Sequence, residues 1–117
     1  MKSIVIDLDH TICVPNLDKP DTFSRYAQAK PVTEIIDKMK ELQYNGFKII
    51  ISTSRRMVTH DGDINKIVED VGQVTIDWLD TYDVPYDELI WGKPYSSTYY
   101  VDDKAMTPSD FVKWDIS

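Results

Sequence analysis

The sequence predicts an α/β fold, a Rossmann-like sandwich of three α/β/α layers with a mainly parallel sheet. Short apolar runs rich in β-branched residues alternate along the chain with longer segments whose apolar residues keep helical spacing. The first run, residues 4–6, shows no polar alternation, as expected for a strand that is buried on both faces. Strands that alternate with helices in this way form a parallel sheet flanked by helices.

Length and composition limit the classes of protein to consider. The chain of 117 residues is long enough for one domain with a single core, and we take 1–117 as that domain. A net charge of −7 argues against a nucleic-acid groove but not against a phosphorylated ligand, because a bound cation can reverse the local charge. We expect neither a membrane span nor a signal peptide. The single cysteine excludes an internal disulfide, so a cytoplasmic location is expected.

The first half of the chain predicts a strand, a flap, a helix and a second strand. Residues 12–30 contain scattered Pro, Asn and Asp, which predict a loop or short hairpin lying near the site as a flap, and not a helix. Apolar spacing predicts a helix over 31–44, with Pro31 in its first position and Asn45-Gly46 at its end. An apolar run over 47–51 predicts the second strand.

The second half continues the alternation after a polar loop at 57–63. Its elements are two short helical patterns over 64–71 and 74–82 that Gly72 separates, strands over 88–91 and 99–101, and a last helix over 108–114. His60 in the polar loop has two interpretations, an ordinary surface residue or a substrate contact. Cys13 is predicted to be a partly buried flap residue.

Polar residues follow four of the predicted strands. They are Asp7 and Asp9, Ser52 and Thr53, Lys93, and Asp102 and Asp103. The carboxyl ends of parallel strands meet at one sheet edge, where α/β folds bind ligands. Paired carboxylates without soft ligands nearby indicate a hard cation such as Mg²⁺. A carboxylate nucleophile, a carboxylic acid, a hydroxyl and a lysine beside Mg²⁺ are the groups that phosphoryl transfer needs.

In this order the residues resemble the four motifs of the haloacid dehalogenase (HAD) superfamily of phosphohydrolases. Asp7-Leu8-Asp9-His10-Thr11 matches its first motif, acidic-x-acidic-x-hydroxyl after the first strand, although His10 stands where many members have Gly. A Ser or Thr after the second strand, a Lys and an acidic pair are the other three motifs. The resemblance covers nearly the whole chain.

The resemblance implies a role for each acidic residue. Asp7 would be the nucleophile that forms an aspartyl-phosphate, and Asp9 would be the general acid and then the general base. Mg²⁺ would be held by Asp7, by the main-chain carbonyl of Asp9 and by Asp103. Asp102 would lie close by, and which member of the acidic pair binds the metal directly stays open.

The resemblance also implies which residues bind the phosphoryl group. Thr53 and Lys93 would bind it, and Thr53-Ser54-Arg55 is similar to the Thr-x-Arg segment common in the family, which favours Thr53 over Ser52. Ser54 and Arg55 join the predicted substrate-binding set. For the pair formed by Arg55 and Arg56, contact with substrate and simple exposure to solvent are both open alternatives.

Members of this family usually carry a cap domain over the active site. Residues 12–30 are too few for one, and the third and fourth motifs are about nine residues apart, so the chain resembles a capless member. An open site would either admit a large substrate or be covered by another subunit of a homo-oligomer.

Shorter segments are similar to small HAD phosphatases associated with capsular polysaccharide synthesis. They are Asp9-His10-Thr11 and residues 26–31, 53–57, 84–88 and 92–94. The resemblance therefore implies a Mg²⁺-dependent phosphomonoesterase that acts on a small phosphorylated metabolite such as a sugar phosphate. Two alternatives remain, a polynucleotide 3′-phosphatase, which the acidic charge disfavours, and a non-enzymatic receiver domain, which the order of the motifs disfavours.

Overall fold

The computed structural model describes residues 2–92, 99–101 and 106–115. In chain order its elements are β1 (Ser3–Asp7), β2 (Cys13–Val14), α1 (Thr22–Ala27), β3 (Lys30–Pro31), α2 (Thr33–Tyr44), β4 (Lys48–Thr53), α3 (Ile64–Thr81), β5 (Glu88–Trp91), β6 (Tyr99–Val101) and α4 (Pro108–Lys113). Among these residues no helix is both long enough and apolar enough to cross a membrane.

The main sheet has four strands in the order β5-β4-β1-β6, and every neighbouring pair is parallel. In the register of β1 with β4, Asp7 lies beside Ser52, and in that of β4 with β5, Thr53 lies beside Trp91. The carboxyl ends of three strands therefore meet at one edge of the sheet. The predicted α/β fold with a parallel sheet is confirmed.

The hydrophobic core joins the sheet to its helices. Ile4 and Ile6 of β1 are fully buried in one cluster with Met39 of α2, Leu79 of α3 and Phe111 of α4. A smaller buried cluster is formed by α3 residues, and Tyr26 of α1 and Met57 pack against it. The core thus fixes α3 and, through it, the short helix α1.

The prediction that segment 12–30 contains no helix is wrong. The segment forms a two-stranded antiparallel hairpin from β2 and β3, as one of its alternatives stated, but it also contains α1. Asp21 caps this helix by accepting a hydrogen bond from the Ser24 N–H at 3.0 Å. The Nε1 of Trp78 donates to the Ala29 carbonyl at 2.9 Å and ties the end of the segment to α3. Tertiary contacts therefore support a helix that is too short to show a periodic pattern.

Two helix boundaries also differ from the prediction. The helix predicted over 31–44 begins at Thr33, because Pro31 pairs with Cys13 in the flap hairpin. The two helical patterns on either side of Gly72 form the continuous helix α3. One glycine in a helix costs only about 1 kcal/mol, and the buried apolar residues on both sides of Gly72 outweigh that cost.

The second strand is longer at its carboxyl end than the predicted 47–51. It includes Ser52 and Thr53, whose neighbours in β5 are Ile90 and Trp91. The main-chain oxygen of Thr53 also accepts a hydrogen bond from the Gly92 N–H at 2.8 Å. The hydroxyl-bearing residues are therefore part of the sheet edge and do not belong to a separate loop.

Candidate active site

The turn that follows β1 winds around one main-chain oxygen. The carbonyl of Leu8 accepts hydrogen bonds from the N–H groups of residues 11–13, at 3.3, 2.9 and 3.1 Å. His10 has a φ of 65°, in the left-handed region where histidine is among the better tolerated residues. Glycine would adopt the same conformation without a steric penalty. The turn brings Asp9 to the carboxyl edge of the sheet.

The carboxylate of Asp9 forms a two-pronged ion pair with Arg55. Arg55 Nε donates to Asp9 Oδ2 at 2.9 Å, and Nη2 donates to Oδ1 at 2.8 Å. The Arg55 side chain is fully buried, whereas 22% of the Asp9 side chain is exposed. A bidentate contact of this kind both orients the carboxylate and neutralises its charge.

Three further contacts hold the guanidinium of Arg55. Its Nη1 donates to Thr75 Oγ1 at 2.9 Å, and that hydroxyl donates to the Val71 carbonyl at 2.7 Å. The Tyr26 ring lies 4.0 Å from the Arg55 Cζ, and Nη2 is 3.5 Å from Cys13 Sγ. Asp9 is therefore positioned through Arg55 by both α3 and the flap helix.

The contact between Asp9 and Arg55 was missed by the sequence analysis. The alternative that places Arg55 in solvent is wrong, because its side chain is buried; its direct contact with substrate stays a prediction. The pattern offered one weak signal, since Arg55 follows the hydroxyl-bearing end of β4 at the same sheet edge as Asp9. Nothing in the local sequence separates Arg55 from the partly exposed Arg56.

The two candidate hydroxyls at the end of β4 have different partners. Ser52 Oγ donates to the Gly92 carbonyl and so links β4 to the end of β5. Thr53 Oγ1 accepts a hydrogen bond from the Arg55 N–H at 3.2 Å, and accepting it does not use the proton of the hydroxyl. Ser54 is exposed. The choice of Thr53 over Ser52 as the phosphoryl ligand stays a prediction.

Several predicted site residues, Lys93, Asp102 and Asp103, lie outside the described part of the chain. In sequence they follow Gly92 and Val101, and their roles stay predictions. Across the described ranges, no three His, Cys, Asp or Glu side chains lie together as a metal site.

The described oxygen atoms of the site suit a hard cation. Asp7, at the end of β1, is neither fully buried nor fully exposed, and carboxylate oxygen is the ligand type that Mg²⁺ prefers. The side chain of Asp9 is engaged by Arg55; metal binding by its main-chain carbonyl stays a prediction.

A cavity of about 220 Å³ lies beside Asp9. Its lining includes Asp9 and His10 from the turn, Arg25 and Tyr26 from α1, and Arg56 from the loop after β4. The flap helix therefore forms one wall of a pocket that reaches the carboxylate of Asp9.

Arg56 and His60 share one partner at the edge of this region. Arg56 Nε donates to Asp70 Oδ2 at 2.9 Å, and His60 Nε2 lies 2.8 Å from the same oxygen. These hydrogen bonds, first from His60 and then from Arg56, hold the pKa of Asp70 below its usual range. They tie the polar loop 57–63 to α3; a substrate contact by His60 stays a prediction.

Cys13 is fully buried, and not partly buried as predicted. Its Sγ lies 3.4 Å from Asp9 Oδ1, where it donates a weak hydrogen bond. Burial and the nearby Asp9 carboxylate together raise the pKa of the thiol from 9.0 to about 12, although Arg55 opposes them. The thiol is therefore a buried group that packs beside the ion pair.

We expect Cys13 to resist alkylation in the folded protein and to destabilise the fold at high pH. Its pKa is higher in the folded than in the unfolded state, so its stabilising contribution is complete below pH 9 and is lost as the pH rises toward 12. Iodoacetamide labelling at pH 8 should succeed only after unfolding. The free energies of unfolding of wild type and Cys13→Ala, measured by denaturant melts, should approach each other as the pH rises from 8 to 11. Rapid labelling of the native protein would contradict this description.

Comparison with known proteins finds relatives among solved structures. No family model and no curated protein matches the chain. A structural-genomics target from Vibrio cholerae is 35% identical, with a TM-score of 0.78 over 99% of this chain and 91% of that one. At that identity and coverage the two chains belong to one family.

More distant solved structures share the fold. The Pnkp1/Rnl/Hen1 RNA repair complex matches with a TM-score of 0.62 and 20% identity, over 87% of this chain and 36% of that one. D,D-heptose 1,7-bisphosphate phosphatase from B. bronchiseptica, complexed with magnesium and phosphate, matches with a TM-score of 0.50 and 11% identity. The match covers 84% of this chain and 52% of that one. These likenesses show a shared fold, and membership of the HAD superfamily stays a prediction.

Proposed function

We propose that this chain is a Mg²⁺-dependent phosphomonoesterase of the HAD superfamily that acts through an aspartyl-phosphate on a small phosphorylated metabolite. One observation carries the proposal. At the carboxyl edge of a parallel sheet, the two carboxylates of the first motif have different environments, because a buried arginine holds Asp9 while Asp7 ends the strand. Different environments suit a nucleophile and a proton carrier.

In the first step a carboxylate oxygen of Asp7 attacks phosphorus. The bond between phosphorus and the leaving oxygen breaks, and protonated Asp9 gives its proton to that oxygen so that it leaves as an alcohol. Arg55 positions the Asp9 carboxyl at the sheet edge. Thr53 and Lys93 bind the oxygens of the transferred phosphoryl group.

In the second step water attacks the phosphorus of the aspartyl-phosphate. Asp9, now a carboxylate, takes a proton from that water, and the bond between Asp7 and phosphorus breaks to release inorganic phosphate. Asp7 and Asp9 are thereby restored to their starting protonation states. Mg²⁺, held by Asp7, the Asp9 carbonyl and Asp103 with Asp102 nearby, would supply positive charge to offset that of the phosphoryl oxygens.

The proposed substrate is a sugar phosphate of polysaccharide synthesis. It would enter an open site in which the flap 12–30 takes the place of a cap domain. The cavity of about 220 Å³ beside Asp9 is smaller than the roughly 300–1,000 Å³ of drug-sized ligand sites, which suits a small leaving group. Similarity to a heptose bisphosphate phosphatase also supports this class.

A polynucleotide 3′-phosphatase is the second candidate. The structural similarity to the RNA repair complex favours it, since the TM-score of 0.62 exceeds that of the heptose bisphosphate phosphatase. The net charge of −7 opposes it, because binding of nucleic acid depends on neutralising phosphates with cationic side chains.

Phosphate release with Mg²⁺ will test the proposal. We expect release from a panel of sugar phosphates, loss of release with EDTA and its recovery when Mg²⁺ is restored. An oligonucleotide with a 3′-phosphate should be a poor substrate, and its preferential cleavage would favour the second candidate. Lasting phosphorylation by acetyl phosphate without turnover would point to a receiver domain and would overturn the assignment as a phosphatase.

A further inference from the structure

We infer that the cavity beside Asp9 binds a second acidic group on the leaving alcohol of the substrate, through Arg25 and Arg56. The inference rests on the proposed function and narrows its substrate class to monoesters whose leaving group carries another carboxylate or phosphate. Its starting point is the composition of the cavity lining, which contains both arginines together with Asp9.

Asp9 identifies which part of the substrate enters this cavity. A general acid must lie within hydrogen-bond reach of the oxygen that it protonates. Since Asp9 lines the cavity, the leaving alcohol begins there and extends between α1 and the loop after β4. The transferred phosphoryl group lies at the sheet edge with Asp7, so the two arginines face the other half of the substrate.

Arg25 is held at one point and keeps its terminal nitrogens for a ligand. Its Nε donates to the Lys19 carbonyl at 2.8 Å, and this is its single side-chain hydrogen bond to the described residues. Its main-chain oxygen accepts a bond from the Asn16 N–H at 3.0 Å. The side chain is thus anchored within the flap, while Nη1 and Nη2 remain able to make the parallel pair of bonds that an acidic group accepts.

Arg56 enters the cavity lining from a different element. Its Nε binds Asp70, which His60 also contacts, so the base of the guanidinium is oriented by α3. Within the described ranges its terminal nitrogens have no other hydrogen-bond partner. Two guanidinium groups from the flap and from the loop after β4 can therefore bind one anion together.

Each guanidinium group of this region has a carboxylate near it. Arg55 pairs with Asp9, Asp70 balances part of the charge of Arg56, and Asp21 interacts electrostatically with Arg25. Arg55 is fully buried, whereas Arg25 and Arg56 line the cavity. Arginine suits planar, bidentate recognition of carboxylate or phosphate, which is the ligand chemistry that we assign.

Matched pairs of substrates will test the inference. Glycerol 3-phosphate and 3-phosphoglycerate differ by a carboxylate, and a hexose monophosphate and its bisphosphate differ by a phosphate. Wild type should prefer the member with the extra acidic group by about tenfold in kcat/KM. Arg25→Gln should remove most of that preference through KM and leave activity on the neutral-alcohol member within about twofold; Arg25→Lys should keep part of it.

The controls separate this inference from the proposed function. Lys40→Gln removes a cation that lines a different cavity, and it should not change the preference. Hydrolysis of both members without preference, or an equal loss on both in Arg25→Gln, would overturn the subsite alone. If no monoester is hydrolysed, calorimetry of the same pairs with Asp7→Asn decides, because equal affinity for the two members would overturn the subsite without any turnover.

Discussion

Asp7→Asn should lose phosphate release by roughly 10⁴-fold or more while its fold is unchanged. The amide is nearly the same size as the carboxylate but lacks the anionic oxygen that attacks phosphorus. Asp7 is half-buried at the end of β1, so the neutral side chain should fit the same space. Steady-state kinetics, with circular dichroism and a thermal melt as checks on the fold, will measure the effect.

Asp9→Asn is the matched variant, since it makes the same chemical change two residues away. The nucleophile remains, so kcat/KM should fall by about 10²–10⁴-fold on alkyl phosphates and far less on p-nitrophenyl phosphate, whose leaving group needs no proton. The second step then lacks its base, so the aspartyl-phosphate on Asp7 should accumulate. Quenching with acid, in which this phosphoprotein is stable, should trap it. Equal losses on both substrate types would refute the role of Asp9 as general acid, and full activity in Asp7→Asn would refute the aspartyl-phosphate mechanism.

Arg55→Gln should destabilise the protein by about 3 kcal/mol. Removing one partner of a buried ion pair costs about 3–5 kcal/mol, and the 22% exposure of the Asp9 side chain lets water offset part of that cost. Arg56→Gln makes the same change at the next residue. Its pair with Asp70 is about 30% exposed on both sides, so we expect a loss of only about 0–1 kcal/mol. Denaturant unfolding of the two variants will give both values.

A double-mutant cycle will show whether the cost comes from the ion pair. Arg55→Gln alone leaves the Asp9 carboxylate without its cation, whereas Asp9→Asn/Arg55→Gln has no carboxylate there. The double variant should therefore be about 1–3 kcal/mol more stable than the sum of the two single effects predicts. Arg55→Gln should also lose activity mainly on alkyl phosphates, as Asp9→Asn does, because Arg55 positions Asp9. Additive stability losses, or a uniform loss on all substrates, would contradict that positioning role.

Much of the fold is readable from local patterns in the chain. The buried run of β1, the apolar spacing of α2 and Asn45-Gly46 at its end each depend on neighbours in sequence, and Gly46 has the left-handed φ of 84° that such a stop requires. Asp7 and Asp9 could be placed at a sheet edge for the same reason, since they follow a strand whose direction the alternation of elements sets.

Elements that depend on distant contacts were harder to predict. The helix α1 has six residues and no buried one, so its sequence carries no periodic signal, and its capping by Asp21 and the contacts of its Tyr26 hold it. Gly72 interrupts the helical spacing of apolar residues, but α3 continues through it because apolar residues on both sides of Gly72 are buried. In both cases tertiary packing overrides a weak local preference.

The sequence by itself determined which residue types follow β1 and end β4 at the sheet edge, because residue types and their order along a strand are local properties. Only the tertiary structure decided how the Asp9 side chain is held. Arg55 and Arg56 look alike in sequence, yet Thr75 of α3 and Tyr26 of the flap enclose one of them and leave the other at the cavity. That choice depends on three elements far apart in the chain, and burial then strengthens the contact by which Arg55 holds the Asp9 carboxylate.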